Sequence, residues 1–258
     1  MTDDTDSGLP ASLEAAWGLR ERPTRGPKRG LSLDRIVQAA IAVAAADGLA
    51  AVSMGRVAKE LGTAPMSLYR YVAAKTELLD LMTDAAFGPP EPTPGPEVTW
   101  REGMSRWAWD QLAGFRRHPW LRHVPVGSPP ILPNQIAWME HALAVLRPTG
   151  LTGPEKIATV LLVSGYVRYW ATVTLDVQAV AQAAGSTAEE AMATYGRRLA
   201  KVVDPARFPE VSELMSSGGL DDEPGNPDAD FVFGLERILD GVEALVRSRA
   251  TGHAAATG

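Results

Sequence analysis

The sequence contains no cysteine. Disulfides, thiolate zinc sites and cysteine nucleophiles are therefore excluded together, and the composition suits a reducing cytosol. No apolar run approaches the ~20 residues that a membrane-spanning helix needs. The first residues, Met1 to Ser7, are acidic and lack the basic-then-apolar layout of a secretory signal. These absences predict a cytoplasmic protein with no membrane partner. Catalytic signatures are missing too: there is no Gly-x-Ser-x-Gly elbow, no Gly-Lys-Ser/Thr phosphate loop and no dinucleotide fingerprint. The sequence holds no Glu-x-x-His or His-x-x-x-His pair, and the acidic stretch 221–230 lacks a calcium-loop pattern. Neither a metal nor a cofactor is expected. No segment alternates as a strand should, and no internal repeat is present, so the expected fold class is all-α.

What is present is an ordinary globular balance in 258 residues, with 45% hydrophobic and 22% charged residues, enough for one large or two smaller domains. The net charge of −6 is unevenly spread. Residues 16–75 hold ten Lys/Arg against four acids, a local charge of +6 that leaves −12 for the rest. A basic N-terminal module on an acidic body is what local phosphate binding requires.

Along the chain, residues 1–30 read as a flexible basic arm with one short helix around Ala11–Leu19. Ser32 caps a helix from Leu33 to Asp47, stopped by Gly48. Ser53 caps a short helix, Met54 to Leu61, ended by Gly62. Pro65 opens the next, to about Tyr71. Lys75 to Phe87 forms a fourth. The Pro-rich stretch Gly88–Pro96 predicts a hinge. Beyond it, helices are predicted over Trp100–Arg117, Asn134–Arg147, Pro154–Ala184, Ala188–Val203, Phe208–Met215 and Phe231–Arg249. The predicted organisation is the arm 1–30, a DNA-binding domain 31–88 whose fourth helix 75–88 is a connector, a second domain 97–249, and a disordered tail 250–258.

The informative segment runs from Ser53 to Tyr71. Val57, Ala58 and Leu61 bury the first short helix, Gly62 makes the turn, and Leu68 and Val72 pin the second helix from below. Its other face then projects Pro65, Met66, Ser67, Tyr69, Arg70 and Tyr71. A short helix carrying hydroxyls and a guanidinium on its free face suits the major groove of DNA. Helix N-termini, hydroxyls and Lys75 suit the flanking phosphates.

Asp47-Gly48, Ser53-Met54-x-x-Val57-Ala58-x-x-Leu61-Gly62, Leu68-Tyr69-x-Tyr71-Val72 and Lys75-x-Glu77-Leu78-Leu79 resemble the signature of the tetracycline-repressor (TetR) family. Asn134-Gln135, Met139 and Leu143, and the run from Phe231 to Glu243, are similar to that family's ligand domain. The resemblance implies a transcriptional regulator, by default a repressor. It also implies a homodimer joined by the long and final helices, a palindromic operator and a small-molecule effector. It places Thr63, Ala64, Pro65, Met66, Ser67, Tyr69, Arg70 and Tyr71 against DNA, with Arg70 reading a base and Ser53, Tyr69, Tyr71 and Lys75 on phosphates. The arm residues Arg25, Lys28 and Arg29 read as a minor-groove hook or as a solvated linker.

The second domain is rich in tryptophan and tyrosine, which points to a large, partly hydrophobic, planar effector. The expected lining is Trp107, His118, His123, Gln135, Trp138, Met139, Ser164, Arg168 and Tyr169, with His141 as a further polar candidate. The expected dimer seam is Leu161, Phe231, Gly234, Leu235, Ile238 and Val242, with Gly234 and Gly241 permitting close approach. The tetracycline repressor takes its drug as a metal chelate, but nothing in this sequence supports a metal here. Two alternatives stand beside the regulator: an all-helical enzyme, and a DNA-binding protein that answers to no ligand.

Overall fold

The computed structural model describes residues 9–19, 31–93, 95, 97–127, 129–218 and 228–256. Among them are eleven α-helices, α1 Ala11–Ala16, α2 Leu33–Asp47, α3 Met54–Glu60, α4 Pro65–Leu68, α5 Lys75–Phe87, α6 Trp100–Arg117, α7 Pro133–Val145, α8 Gly153–Ala183, α9 Ala188–Val202, α10 Pro209–Ser216 and α11 Ala229–Ala256, and no strand. Several helix starts are set by side-chain caps. Ser32 Oγ accepts the Arg35 N–H at 3.3 Å ahead of α2. Thr99 and Glu102 cap each other reciprocally ahead of α6, at 3.2 and 2.9 Å, and Thr187 and Glu190 do the same ahead of α9, at 3.1 and 2.9 Å.

Two compact units emerge, residues 1–164 and 165–258. The division falls inside α8. The proline-rich stretch lies within the first unit, where α5 is fixed to the elements beyond it. Phe87 meets Phe115 edge-on at 5.4 Å and Trp138 at 6.0 Å. A Cβ at Gly114 would lie 2.6 Å from the Phe87 ring, so α6 carries glycine where that ring lands. The Trp138 indole N–H donates to the Gly88 carbonyl at 2.9 Å.

The core formed by α2 to α5 is Ile36, Ala40, Val43, Val52, Val57, Ala58, Leu68, Val72, Leu78 and Met82, each nearly inaccessible to solvent. In the second unit Val167, Ala171, Phe231, Leu235 and Leu239 are buried. Tyr166 stacks on Phe231 with ring centroids 5.6 Å apart and planes 12° from parallel. Neither α9 nor α10 contains a buried residue.

The short helix expected within the arm is present as α1, which buries Ser12 against α5 while Trp17 reaches Ile131. One expectation is corrected. The final helix does not stop at Arg249 but runs to Ala256, since the alanines there continue a helix at little cost.

Candidate nucleic-acid interface and effector region

The helix-turn-helix rests on one turn. Gly62 takes φ +64°, a left-handed conformation open to glycine and costly for residues with a Cβ. The Thr63 N–H then reaches back to the Ala58 carbonyl at 2.9 Å, and the Gly62 N–H to Lys59 at 3.2 Å. These two bonds close α3 and reverse the chain sharply into α4. Ser53 Oγ accepts the Arg56 N–H at 3.1 Å. Arg56 itself binds Asp47 at 3.2 Å and Glu60 at 2.7 Å. That guanidinium locks α3 onto the end of α2, and the two acids, largest effect first Glu60, hold its charge more firmly.

Leu68 anchors α4 with no exposed surface, which turns its opposite face outward. Met66 is 73% exposed and Tyr69 46%. Ala64, Pro65 and Arg70 are exposed, and Thr63 and Ser67 half-exposed. Lys75, opening α5, and Ser53 are also exposed. The expected DNA face is therefore assembled on one short helix and its flanks. Tyr71 is placed differently from the rest of this face. Its phenol donates to the Leu31 carbonyl at 2.9 Å and is half-buried. Phosphate oxygens only accept, so a phenol whose proton is already committed is a poor phosphate ligand. Tyr71 instead ties the end of the recognition segment to the start of α2. Arg25, Lys28 and Arg29 lie outside the described residues.

Above this surface α5 leads to α7. Leu132, preceding α7, has no side chain able to cap it. Asp84 does so from α5. Its Oδ1 accepts the Gln135 N–H at 2.9 Å, and its Oδ2 accepts Asn134 Nδ2 at 3.0 Å. Asn134 Nδ2 also donates to the Asp84 carbonyl at 3.1 Å. Burial pushes the Asp84 carboxyl up, against those hydrogen bonds. The sequence reading missed Asp84; the signal was one acid inside the apolar stripe Leu78, Leu81, Met82 and Ala86.

Several expected lining residues are committed to structure. Trp107 is 2% exposed and donates its indole N–H to the Trp138 carbonyl at 3.1 Å. Gln135 Oε1 accepts the Ile131 and Leu132 N–H groups at 3.1 and 3.3 Å. His141 Nδ1 pairs with the Glu91 carbonyl at 3.0 Å. His118 closes α6 half-buried beside Trp120, its pKa lowered by burial and then by Arg117. His123 is exposed, while Met139 and Ser164 are half-buried. In the second unit Arg168 is half-buried, its pKa lowered by desolvation, and Tyr169 is 68% exposed. Buried donors without a protein partner occur at Gln111 Nε2 and Trp120 Nε1 in the first unit. A half-open cleft of about 370 Å³ lies between the start of α6 and the end of α7, bordered by Val98, Trp100, Gly103, Val145 and Arg147. None of the expected lining residues borders it.

The expected seam also divides. Leu161 on α8 is 67% exposed, and Ile238 half-exposed. Phe231, Leu235 and Val242 are buried within their own chain. A Cβ at Gly234 would lie 2.3 Å from the Tyr166 oxygen. That glycine clears space for a phenol that donates to the Asp230 and Phe231 carbonyls, both at 3.0 Å. Within the chain, Gly234 thus serves internal packing. Gly241 has open space around it. On α8 and α11 of the second unit, Tyr169, Val173, Val232 and Phe233 are among the exposed apolar side chains.

A tight-turned helix pair with a polar and basic outer face, carried on an all-helical body, defines a helix-turn-helix DNA-binding regulator. The comparisons make this specific. The family described as "Bacterial regulatory proteins, tetR family" matches residues 36–82, and "Tetracyclin repressor-like, C-terminal domain" matches residues 91–246. The chain belongs to the TetR family of transcriptional regulators, and its class is not that of an enzyme. It is 42% identical over 251 residues to the HTH-type transcriptional repressor DrrR1 of Streptomyces coeruleorubidus, covering 96% of this chain and 91% of that one. Among solved structures it is similar to apo ActR from Streptomyces coelicolor, with TM-score 0.70, 29% identity and coverage of 84% and 97%. ActR in complex with actinorhodin gives TM-score 0.68 at 30% identity, with coverage of 83% and 96%.

Proposed function

We propose that this regulator is a homodimeric repressor that occupies a palindromic operator in the cytoplasm and leaves it when a planar, oxygen-bearing aromatic molecule binds its body. The outward face of α4, with Met66, Tyr69 and Arg70 free of the core, carries the DNA half of the reading. A two-fold dimer carrying two such faces reads two half-sites one helical turn apart. The exposed apolar strip of Tyr169, Val173, Val232 and Phe233 supports the dimer. The effector class is supported by the similar protein ActR, which binds actinorhodin. It is also supported by the orphaned donors of Gln111 and Trp120. A buried N–H without a partner costs about 1–3 kcal/mol, and a ligand's acceptor oxygens recover that cost.

The test begins with selection of bound duplexes from a random DNA pool at near-physiological salt. A palindromic consensus, followed by its release on adding actinorhodin or a simple hydroxyanthraquinone, is the expected result. A consensus that no such molecule releases favours the ligand-independent DNA-binding protein. Salt-sensitive binding without any consensus removes the repressor reading.

A further inference from the structure

The helix α1 lies outside both family matches, which begin at residues 36 and 91. It is nonetheless tied at two ends to elements of different duty. At one end the buried Ser12 hydroxyl donates to Oε1 of Glu77, in the first turn of α5. The other oxygen of that carboxylate accepts the Ala73 N–H, at the end of the recognition segment. At its other end, Trp17 donates its indole N–H to the Ile131 carbonyl at 2.9 Å. The Ile131 N–H donates to Gln135 Oε1 at 3.1 Å, and the Gln135 N–H returns to Asp84 Oδ1 at 2.9 Å, back on α5. Glu77 and Asp84 are seven residues apart, about 10 Å along one helix. The circuit is thus closed: α5, α1, the approach to α7, and α5 again.

We infer that α1 is a strap that couples the DNA-facing end of α5 to the approach to α7, with Ser12 and Trp17 as its positioning residues. A ligand shifts a regulator only through interactions that differ between its two states. The strap supplies such a difference. A shift of the Ile131–Gln135 segment relative to α5 cannot keep both ends of a short helix bonded, so one end opens. The ligand-free arrangement is the one in which both ends hold, and α1 stabilises it. Because its links run in series, losing either end releases the whole strap.

This inference rests on the repressor reading only for its output on DNA, so the test has two arms. In the first, hydrogen exchange is measured on the full-length protein without DNA or effector. Ser12→Ala speeds exchange at the distant Ile131 and Leu132 amides, and Trp17→Phe, which keeps the ring but removes the donor, speeds it at Ala73. Each change is about three- to tenfold, the range that one net hydrogen bond spans. Acceleration confined to the mutated end overturns the strap, whatever the protein binds. In the second, affinity for the duplex selected from the random pool falls by about the same factor in either variant and no further in the double variant. Multiplying losses, or none, overturn the coupling to DNA. A wild-type protein that selects no duplex refutes the repressor reading, while the exchange arm still decides the strap.

Discussion

The carboxylate of Asp84 caps a helix it does not belong to: its Oδ1 accepts the Gln135 N–H at 2.9 Å, in the first turn of α7. That bond joins the connector from the DNA-binding module to the body, and it does so with a charge that is only 9% exposed. Asp84→Ala strands the Gln135 N–H and the Asn134 amide together. The expected cost is about 2–3 kcal/mol in urea unfolding, the range for charged hydrogen bonds. A loss under half a kilocalorie would mean the latch carries little.

The same residue gives a pH dependence of definite sign. Desolvation raises the Asp84 carboxyl above its ordinary 3.8 in the folded chain. The folded state therefore holds that proton more tightly than the unfolded one. Stability from this group is complete below the ordinary value and is lost as pH rises through the raised one. Measured against Asp84→Asn, the wild type gains stability as pH falls across that window. A wild type that loses stability relative to Asp84→Asn on acidification contradicts the assignment.

Much of this was legible in the sequence because it depends on neighbours in the chain. Ser32, Gly48, Ser53 and Gly62 act within four or five residues of themselves, and α2 and α5 begin and end where their patterns said. The recognition face was legible for the same reason: Leu68 and Val72 fix which side of α4 turns out. What was not legible is tertiary. Tyr71 reads as a DNA contact until its partner, forty residues away, is seen to be Leu31. Gly234 reads as a dimer contact until Tyr166 is found filling its place. Trp107, Gln135 and Trp138 have the right chemistry for a pocket, but backbone carbonyls and N–H groups had already claimed it.

Gly62→Ala tests the turn. Nothing lies within 4 Å of where its Cβ would sit, so the penalty is backbone strain alone. About 1–2 kcal/mol of stability is the expected loss, with weaker DNA binding because α4 is re-aimed. Unchanged thermal stability would indicate that the turn relaxes freely.

Lys75→Ala and Tyr71→Phe separate phosphate contact from positioning. A lost phosphate contact lowers the dependence of log affinity on log salt by about one. Lys75→Ala is expected to do this. Tyr71→Phe removes the bond to Leu31, costs about 1 kcal/mol of stability and leaves the salt slope unchanged. A reduced slope in Tyr71→Phe would restore the phosphate role to Tyr71.

Phe231 and Phe233 stand two residues apart on α11 and face opposite fates. Phe231 has no exposed surface and stacks on Tyr166, whereas Phe233 is 64% exposed with Arg237 over its ring, 5.1 Å away. Phe231→Ala opens a cavity and is expected to cost about 3–5 kcal/mol of stability. Phe233→Asp removes no core atom. If the exposed strip is the seam, it places a charge where the partner's apolar side chains must lie, and sedimentation should show the dimer dissociating with the helical content intact. An undisturbed dimer in Phe233→Asp would move the seam off this strip, whereas dissociation would also explain why a side chain so apolar is left facing out.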